Sequence, residues 1–215
     1  NSAANNTAVG KDAGNGTSSG NSNTYVGKTA GYNNATGSGN VIVGHGADCA
    51  VTDGNYANGF GNGVSAVAGY TTIGESGDDI RAAHGNTTWS TVSDERYKKD
   101  ITNATAGLSF INALKPRTFK YKNLGELPET FRLYKAGSTD VFKNSNTNHG
   151  FIAQEVKAAI DADSSIKDGF KLWDERPDGS QEVGEAALIP VLTKAVQELS
   201  TALDAALARI ATLEG

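Results

Sequence analysis

The chain has no methionine, one cysteine and four prolines among its 215 residues. The single Cys49 excludes an intrachain disulfide, and no second thiol lies near it at a metal-ligand spacing, so a small buried side chain is the simplest interpretation. His45, His84 and His149 are scattered, and none lies one helical turn from another metal ligand. We therefore expect no metal site and no cofactor. The lack of methionine also indicates a piece of a longer protein.

Positive charge and long hydrophobic runs are scarce as well. The formal net charge is −5, which provides no basic field to attract nucleic acid or an anionic membrane surface. No hydrophobic run approaches the length of a membrane span, and no signal peptide is recognisable. We expect neither nucleic acid nor a membrane as a partner.

The composition changes sharply near residue 92. The first 92 residues hold 18 of the 26 glycines and nine charged residues, whereas all four prolines and most of the charge lie downstream. The first part has too few large apolar side chains for an ordinary core, and its composition alone would resemble a flexible linker. We predict two domains, residues 1–92 and residues 93–215.

A repeat of 17 residues runs through the first part. It is marked by the pairs Val9-Gly10, Val26-Gly27, Val43-Gly44 and Phe60-Gly61. Linkers rarely keep apolar residues in register, and units this small must stack on one another and on neighbouring chains. The pattern predicts a β-rich trimeric fibre, either β-solenoid-like or made of interleaved strands, in which the repeat ends near residues 71–74. Its rows of Asn and Thr would also suit a host-surface glycan, although such residues are ordinary turn material.

The second part predicts a small α+β domain followed by a long helix. Apolar residues repeat there with the spacing of a coiled coil over about residues 189–214. The proposed a positions are Ile189, Val196, Leu203 and Ile210, and the proposed d positions are Leu192, Leu199, Ala206 and Leu213. The alternative is one amphipathic helix that packs on its own domain. The a and d residues do not set the number of strands.

Three separated blocks resemble the peptidase S74, or endosialidase-type, intramolecular chaperone family. They are residues 93–101 (SDERYKKDI), residues 150–156 (GFIAQEV) and residues 187–192 (ALIPVL). The resemblance implies the C-terminal part of a phage tail fibre or tailspike. In that family the domain forms a homotrimer, templates the folding of the preceding β-fibre, which is its client, and then cuts itself off. It also implies a virion location for the fibre, with the chaperone made in the host cytoplasm and released after cleavage.

The resemblance assigns Ser93 as nucleophile and Lys98 as general base of a single-turnover, autoproteolytic serine peptidase. A lysine removes a proton only when neutral, and burial lowers its pKa, so enclosure of Lys98 by trimer packing would switch cleavage on. Attack by Ser93 on the carbonyl carbon of Val92 needs only a five-membered ring. Attack across chains would open the bond between Ser93 and Asp94 instead, and both bonds remain candidates.

Other residues near the blocks have weaker functional interpretations. Arg96 or backbone N–H groups would stabilise the oxyanion. Gln154 and Glu155 would support the Ser93 region, or simply begin a helix. Without the resemblance, Ser93 itself reads as a helix N-cap.

Self-cleavage has two alternatives, an uncleaved binding fibre and a hydrolase that acts on other molecules. A receptor- or carbohydrate-binding fibre with a purely structural trimerisation domain would have the same organisation without cleavage. A hydrolase acting on other molecules is disfavoured, because no Ser/His/Asp set or paired carboxylates stand out in the sequence.

Overall fold

The computed structural model describes residues 3–166 and 170–214. The chain forms two compact units, of which the first extends to Asp100 and the second begins at Ile101. Residues 93–100 therefore belong to the first unit, together with the glycine-rich repeat.

The first unit is a stack of short strands. They are β1 (Thr7–Val9), β2 (Thr24–Val26), β3 (Val41–Val43), β4 (Asp48–Cys49), β5 (Asn58–Asn62), β6 (Ser65–Ala66), β7 (Tyr70–Glu75) and β8 (Asp78–Ala83). Six strands form one sheet in the order β1-β2-β3-β5-β7-β8, and β4 pairs with β6 in a small second sheet. All of these pairs are parallel except that of β7 with β8.

The register of the large sheet follows the sequence repeat. Val26 lies opposite Val9 and Val43, and Val43 lies opposite Phe60, so equivalent residues 17 apart are neighbours. This arrangement confirms the predicted β-solenoid-like fold and makes the flexible-linker interpretation wrong. The repeat ends near residues 71–74, as predicted: β7 is the last parallel strand, and Ile73 joins the ladder opposite Phe60 through a shorter coil. The antiparallel strand β8 then ends the sheet.

Glycine at the strand ends allows the coils to approach closely. Gly27 has a φ of +133°, and a Cβ there would collide with the carbonyl oxygen of Gly44 one coil further on. Inside the stack, Tyr25 packs against the glycine backbone of Gly14 and Gly31. The buried apolar side chains are few and mostly small: Tyr25, Ala30, Ile42, Ala47, Cys49, Ala57, Val64 and Ala66.

The second unit is a small α+β domain, as predicted. Its elements are α1 (Leu108–Ala113), β9 (Arg117–Phe119), β10 (Asn148–Gly150), α2 (Ala153–Ala162), β11 (Trp173–Glu175), β12 (Gln181–Val183) and α3 (Leu188–Glu214). Strands β9 and β10 form one antiparallel pair, and β11 and β12 form another. The helices share one core, in which Phe110 contacts Phe170 edge-on at 5.8 Å between ring centroids.

The terminal helix α3 has two apolar faces. Leu188, Val191 and Ala195 are buried in the core of the second unit. The predicted coiled-coil residues with large side chains are exposed in the single chain: Ile189, Leu192, Val196, Leu199, Leu203, Ile210 and Leu213. Helix α3 therefore packs on its own domain, as the alternative had it, but through a face other than the predicted seam, and the trimer stays a prediction. Within residues 3–166 and 170–214, no helix is long and apolar enough to cross a membrane.

Candidate functional site

Ser93 and Lys98 lie on either side of a single helical turn. A 3₁₀ helix spans Glu95–Tyr97, and the Asp94 side chain caps it by accepting a hydrogen bond from the Arg96 backbone N–H over 2.9 Å. The turn reverses the chain, and the Lys98 N–H closes it by donating to the Glu95 carbonyl oxygen over 2.9 Å. The cap on this turn is Asp94, so the N-cap interpretation of Ser93 is wrong.

The reversal brings the two predicted dyad residues together. Lys98 Nζ donates to Ser93 Oγ over 2.7 Å and to the Ser93 carbonyl oxygen over 3.2 Å. The first distance is within the range that a base needs to take the proton of a hydroxyl. The arrangement therefore has the geometry of a nucleophile and base, with the same amine near a carbonyl oxygen of the adjacent peptide.

Arg96 is held by its neighbour Asp94. Its Nε and Nη2 donate to the two Asp94 carboxylate oxygens over 2.9 and 2.7 Å. These bonds lower the pKa of Asp94 and raise that of Arg96. The guanidinium is thus occupied in this conformation, and an oxyanion role for Arg96 would require it to leave Asp94. Backbone N–H groups are the simpler oxyanion donors.

The whole segment is accessible to solvent in the single chain. Ser93 and Lys98 are exposed, and the Val92 side chain is 56% exposed. One chain therefore brings the hydroxyl and the amine together while both side chains remain open to water.

The two residues predicted to support the site lie at the start of α2. Glu155 forms a two-bond ion pair with Arg117 of β9, with an Oε2 to Nε distance of 2.8 Å, and this bonding lowers the pKa of Glu155. Gln154 lines an open cavity of about 640 Å³ beside Phe119 and Phe151. These contacts suit a structural role, and a role toward Ser93 stays a prediction.

Cys49, His45 and His84 lie in the first unit, outside the Ser93 segment. Cys49 is buried in the solenoid, and burial raises its thiol pKa to about 12. His45 Nδ1 and His84 Nε2 each contact an asparagine side chain, those of Asn62 and Asn58 respectively. In the part of the chain that the structure describes, no three His, Cys, Asp or Glu residues are grouped closely enough to hold a metal.

One feature beside the site was not found from the sequence. The residues before Ser93 pair through their backbone with β8, where Ser90 lies opposite Arg81. Backbone hydrogen bonds do not require particular side chains, so no motif or spacing in the sequence predicted the pairing of Ser90 with Arg81.

Comparison with known families gives one match. Residues 93–164, about a third of the chain, match the family model Peptidase S74, described as chaperone of endosialidase. The match confirms the resemblance to this chaperone family over residues 93–164. Comparison with curated proteins and with solved structures finds no match to the chain.

Proposed function

We propose, from the premise that residues 93–164 belong to the Peptidase S74 chaperone family, that this protein is the C-terminal part of a phage tail fibre or tailspike. Its second part trimerises, templates the folding of the glycine-rich solenoid, and is then released by self-cleavage at Ser93. The contact of Lys98 Nζ with Ser93 Oγ at 2.7 Å is the observation that carries the cleavage proposal.

The reaction acts on the chain's own backbone. Neutral Lys98 takes the proton of the Ser93 hydroxyl, and Oγ adds to the carbonyl carbon of Val92 through a five-membered ring. The C–N bond then breaks, the Ser93 nitrogen leaves with a proton, and Val92 is held as an ester. Water hydrolyses the ester to a Val92 carboxylate and restores the Ser93 hydroxyl. Attack from another chain on the Ser93 carbonyl carbon would instead separate Ser93 from Asp94.

Assembly controls this reaction through Lys98. The amine is exposed in one chain, and so is the apolar seam of α3 that includes Leu199 and Leu203. Trimerisation along α3 buries the seam, which is the driving force for association. Neighbouring chains then enclose the amine, and removal from water favours the neutral amine that acts as a base, so unassembled chains remain uncut.

Mass spectrometry of the expressed chain tests the dyad. We expect fragments that end or begin beside Ser93, and we expect Ser93→Ala and Lys98→Ala to abolish them. Lys99→Ala and Ser200→Ala, two exposed positions outside the dyad, are matched controls that keep wild-type cleavage. Intact wild-type chains, or fragments that persist in Ser93→Ala, would favour the alternative of an uncleaved receptor- or glycan-binding fibre.

A monomeric variant tests the control by assembly. The double change Leu199→Asp with Leu203→Asp places charges in the α3 seam, and we expect a monomer by light scattering that stays uncut. Thr201→Asp adds a charge to an exposed f position of the same helix, away from the seam, and keeps both the trimer and the cleavage. A confirmed monomer that cleaves at the wild-type rate would contradict the gating of Lys98.

A further inference from the structure

The last strand of the solenoid, β8, has a partner on the edge away from β7. β8 ends the sheet order, which leaves that edge for other chain segments. Ser90 pairs there antiparallel with Arg81, and the two residues exchange both backbone hydrogen bonds, each 2.8 Å long. The Thr91 hydroxyl adds a bond to the carbonyl oxygen of Asp79 over 3.0 Å. The segment just before Ser93 is therefore attached to the folded solenoid.

These bonds end next to the proposed reaction centre. Ser90 and Thr91, the residues bonded to β8, come directly before Val92 in the chain. After Ser93, the Asp94-capped turn returns the lysine to the hydroxyl. The peptide bond between Val92 and Ser93 thus lies between two anchored segments, a strand pair before it and a capped turn after it.

Pairing along a strand edge is a general way to hold a peptide in an extended form. The affinity comes from main-chain hydrogen bonds, so it does not depend on the side chains of the bound segment. Holding a reacting carbonyl in place removes motion that otherwise has to be lost on the way to the transition state. An anchor that ends beside Val92 restricts that carbonyl carbon directly.

The docking edge is present only when the last coil is folded. β8 pairs along its whole length with β7, from Tyr70 opposite Ala83 to Glu75 opposite Asp78. β7 in turn continues the parallel ladder from β5. An unfolded last coil offers no edge, and the segment before Ser93 is then free to move.

We propose that β8 is the substrate-positioning strand of self-cleavage and makes the reaction conditional on a folded solenoid. Ser90 and Thr91 add to its edge and thereby present the Val92 carbonyl to Ser93. This inference rests on the proposed function, and its positioning residues act through the backbone rather than in the chemistry.

A proline substitution tests the strand pair. Ser90→Pro removes the N–H that donates to Arg81, and we expect the cleavage rate of the full-length trimer to fall about 100-fold, as for a displaced reacting group. Thr87→Pro places the same ring outside the pair and leaves the rate unchanged. Circular dichroism and the trimer mass are measured on both variants, and only folded trimers are compared.

A milder pair of variants reports positioning where the proline variant does not fold. Thr91→Val removes the bond to Asp79, and we expect a rate about fivefold lower, as for one neutral hydrogen bond. Thr91→Ser keeps the hydroxyl but lacks the methyl group, and we expect it to cleave at the wild-type rate. If packing of the side chain rather than the hydrogen bond were important, Thr91→Ser would also be slow. Thr88→Val, at an exposed threonine before the pair, stays at the wild-type rate.

Two glycines of the same hairpin test the dependence on β8. Gly74 has a φ of +150°, and a Cβ there would lie 2.7 Å from the Asp79 Cα, so Gly74→Ala displaces the strand. Gly77 has open space around it, and Gly77→Ala is the matched control. We expect slower cleavage in the first variant alone.

The outcomes separate this inference from the function on which it rests. Wild-type chains that stay intact, or that are still cut after Ser93→Ala, overturn self-cleavage and the positioning role together. Cleavage that depends on Ser93 but keeps its wild-type rate in Ser90→Pro, Thr91→Val and Gly74→Ala overturns the positioning role alone.

Discussion

Buried asparagine side chains stabilise the interior of the solenoid by forming hydrogen bonds with its backbone. Asn23 and Asn40 are almost fully buried. The Asn40 side-chain oxygen accepts the Ala57 N–H over 2.7 Å, and its amide nitrogen donates to the Gly54 carbonyl oxygen over 2.7 Å. Each amide thus satisfies backbone groups that the narrow coil would otherwise bury without partners.

Asn40→Ala tests this role. The change leaves the Ala57 N–H and the Gly54 carbonyl unpaired, and each buried group without a partner costs about 1 to 3 kcal/mol. We expect the free energy of unfolding, from urea denaturation of the uncleaved Ser93→Ala protein, to fall by about 2 to 4 kcal/mol. Asn55→Ala, at an exposed row of the same repeat, should cost less than about 1 kcal/mol. Equal losses would contradict the explanation.

Cys49 predicts a pH dependence of stability. Burial raises the thiol pKa to about 12, whereas an unfolded cysteine titrates near about 8.5. The folded state binds the proton more tightly, so this contribution is complete below about pH 8.5 and is lost as the pH rises toward about 12. Urea midpoints from pH 7 to pH 11 should therefore fall faster for the Ser93→Ala protein than for the same protein with Cys49→Ala. Parallel curves would contradict the buried thiol.

Helix α3 packs into the core of the second unit with one face and exposes an apolar seam on another. Leu188 and Val191 join the core of the second unit, and Glu198 accepts the Leu108 N–H at the start of α1 over 2.8 Å. The seam residues, such as Leu192 at 44% exposure, have no such contacts in one chain. A single helix can therefore stabilise its own domain and offer a surface for association.

Two leucines four residues apart should separate these tasks. Leu188→Ala empties a buried position, and we expect it to lower the free energy of unfolding of the second unit by about 2 to 5 kcal/mol. Leu192→Ala removes an exposed side chain, so it should weaken association and leave the monomer's stability nearly unchanged. Chemical denaturation below the association concentration, with sedimentation equilibrium, measures both. An Leu192→Ala monomer as unstable as Leu188→Ala would contradict the division.

At the scale of the whole molecule, the first unit is built almost entirely from contacts between successive coils. Such a stack gains stability one coil at a time, and its first coils bury little before neighbours are in place. Under the proposed function, cleavage removes the attached chaperone after one round of folding. We then expect the released fibre to keep its fold through its unfolding barrier rather than by refolding.

Heating the fibre before and after cleavage tests this kinetic stability. The uncleaved Ser93→Ala protein should regain its circular dichroism spectrum after heating and cooling, because the chaperone is still attached. The cleaved fibre, separated from its chaperone, should regain little of it. Full recovery of the separated fibre would show that it folds unaided and would contradict the proposed need for templating.

Spacing along the chain was enough to predict several features. A period of 17 residues with a fixed Val-Gly pair predicts stacked strands, since only coils of equal length keep such a register. The heptads of α3 predict an apolar seam for the same reason. The break in this spacing at residues 71–74 also marks the last parallel strand, because β7 joins through a shorter coil that has no equal in the repeat.

The family resemblance of residues 93–101 marked Ser93 and Lys98 as candidates, because a serine and a lysine five residues apart are too common to imply this chemistry by themselves. Only the folded structure shows that a capped turn brings Lys98 Nζ within 2.7 Å of Ser93 Oγ. It also shows that Arg96 is bonded to Asp94, and Glu155 to Arg117. Folding alone also placed Ser90 on the edge of β8. A periodic pattern is visible in the sequence because it depends on which residue types recur at a fixed spacing. Pairing between separate backbone segments depends on the tertiary structure, because backbone hydrogen bonds do not require particular side chains.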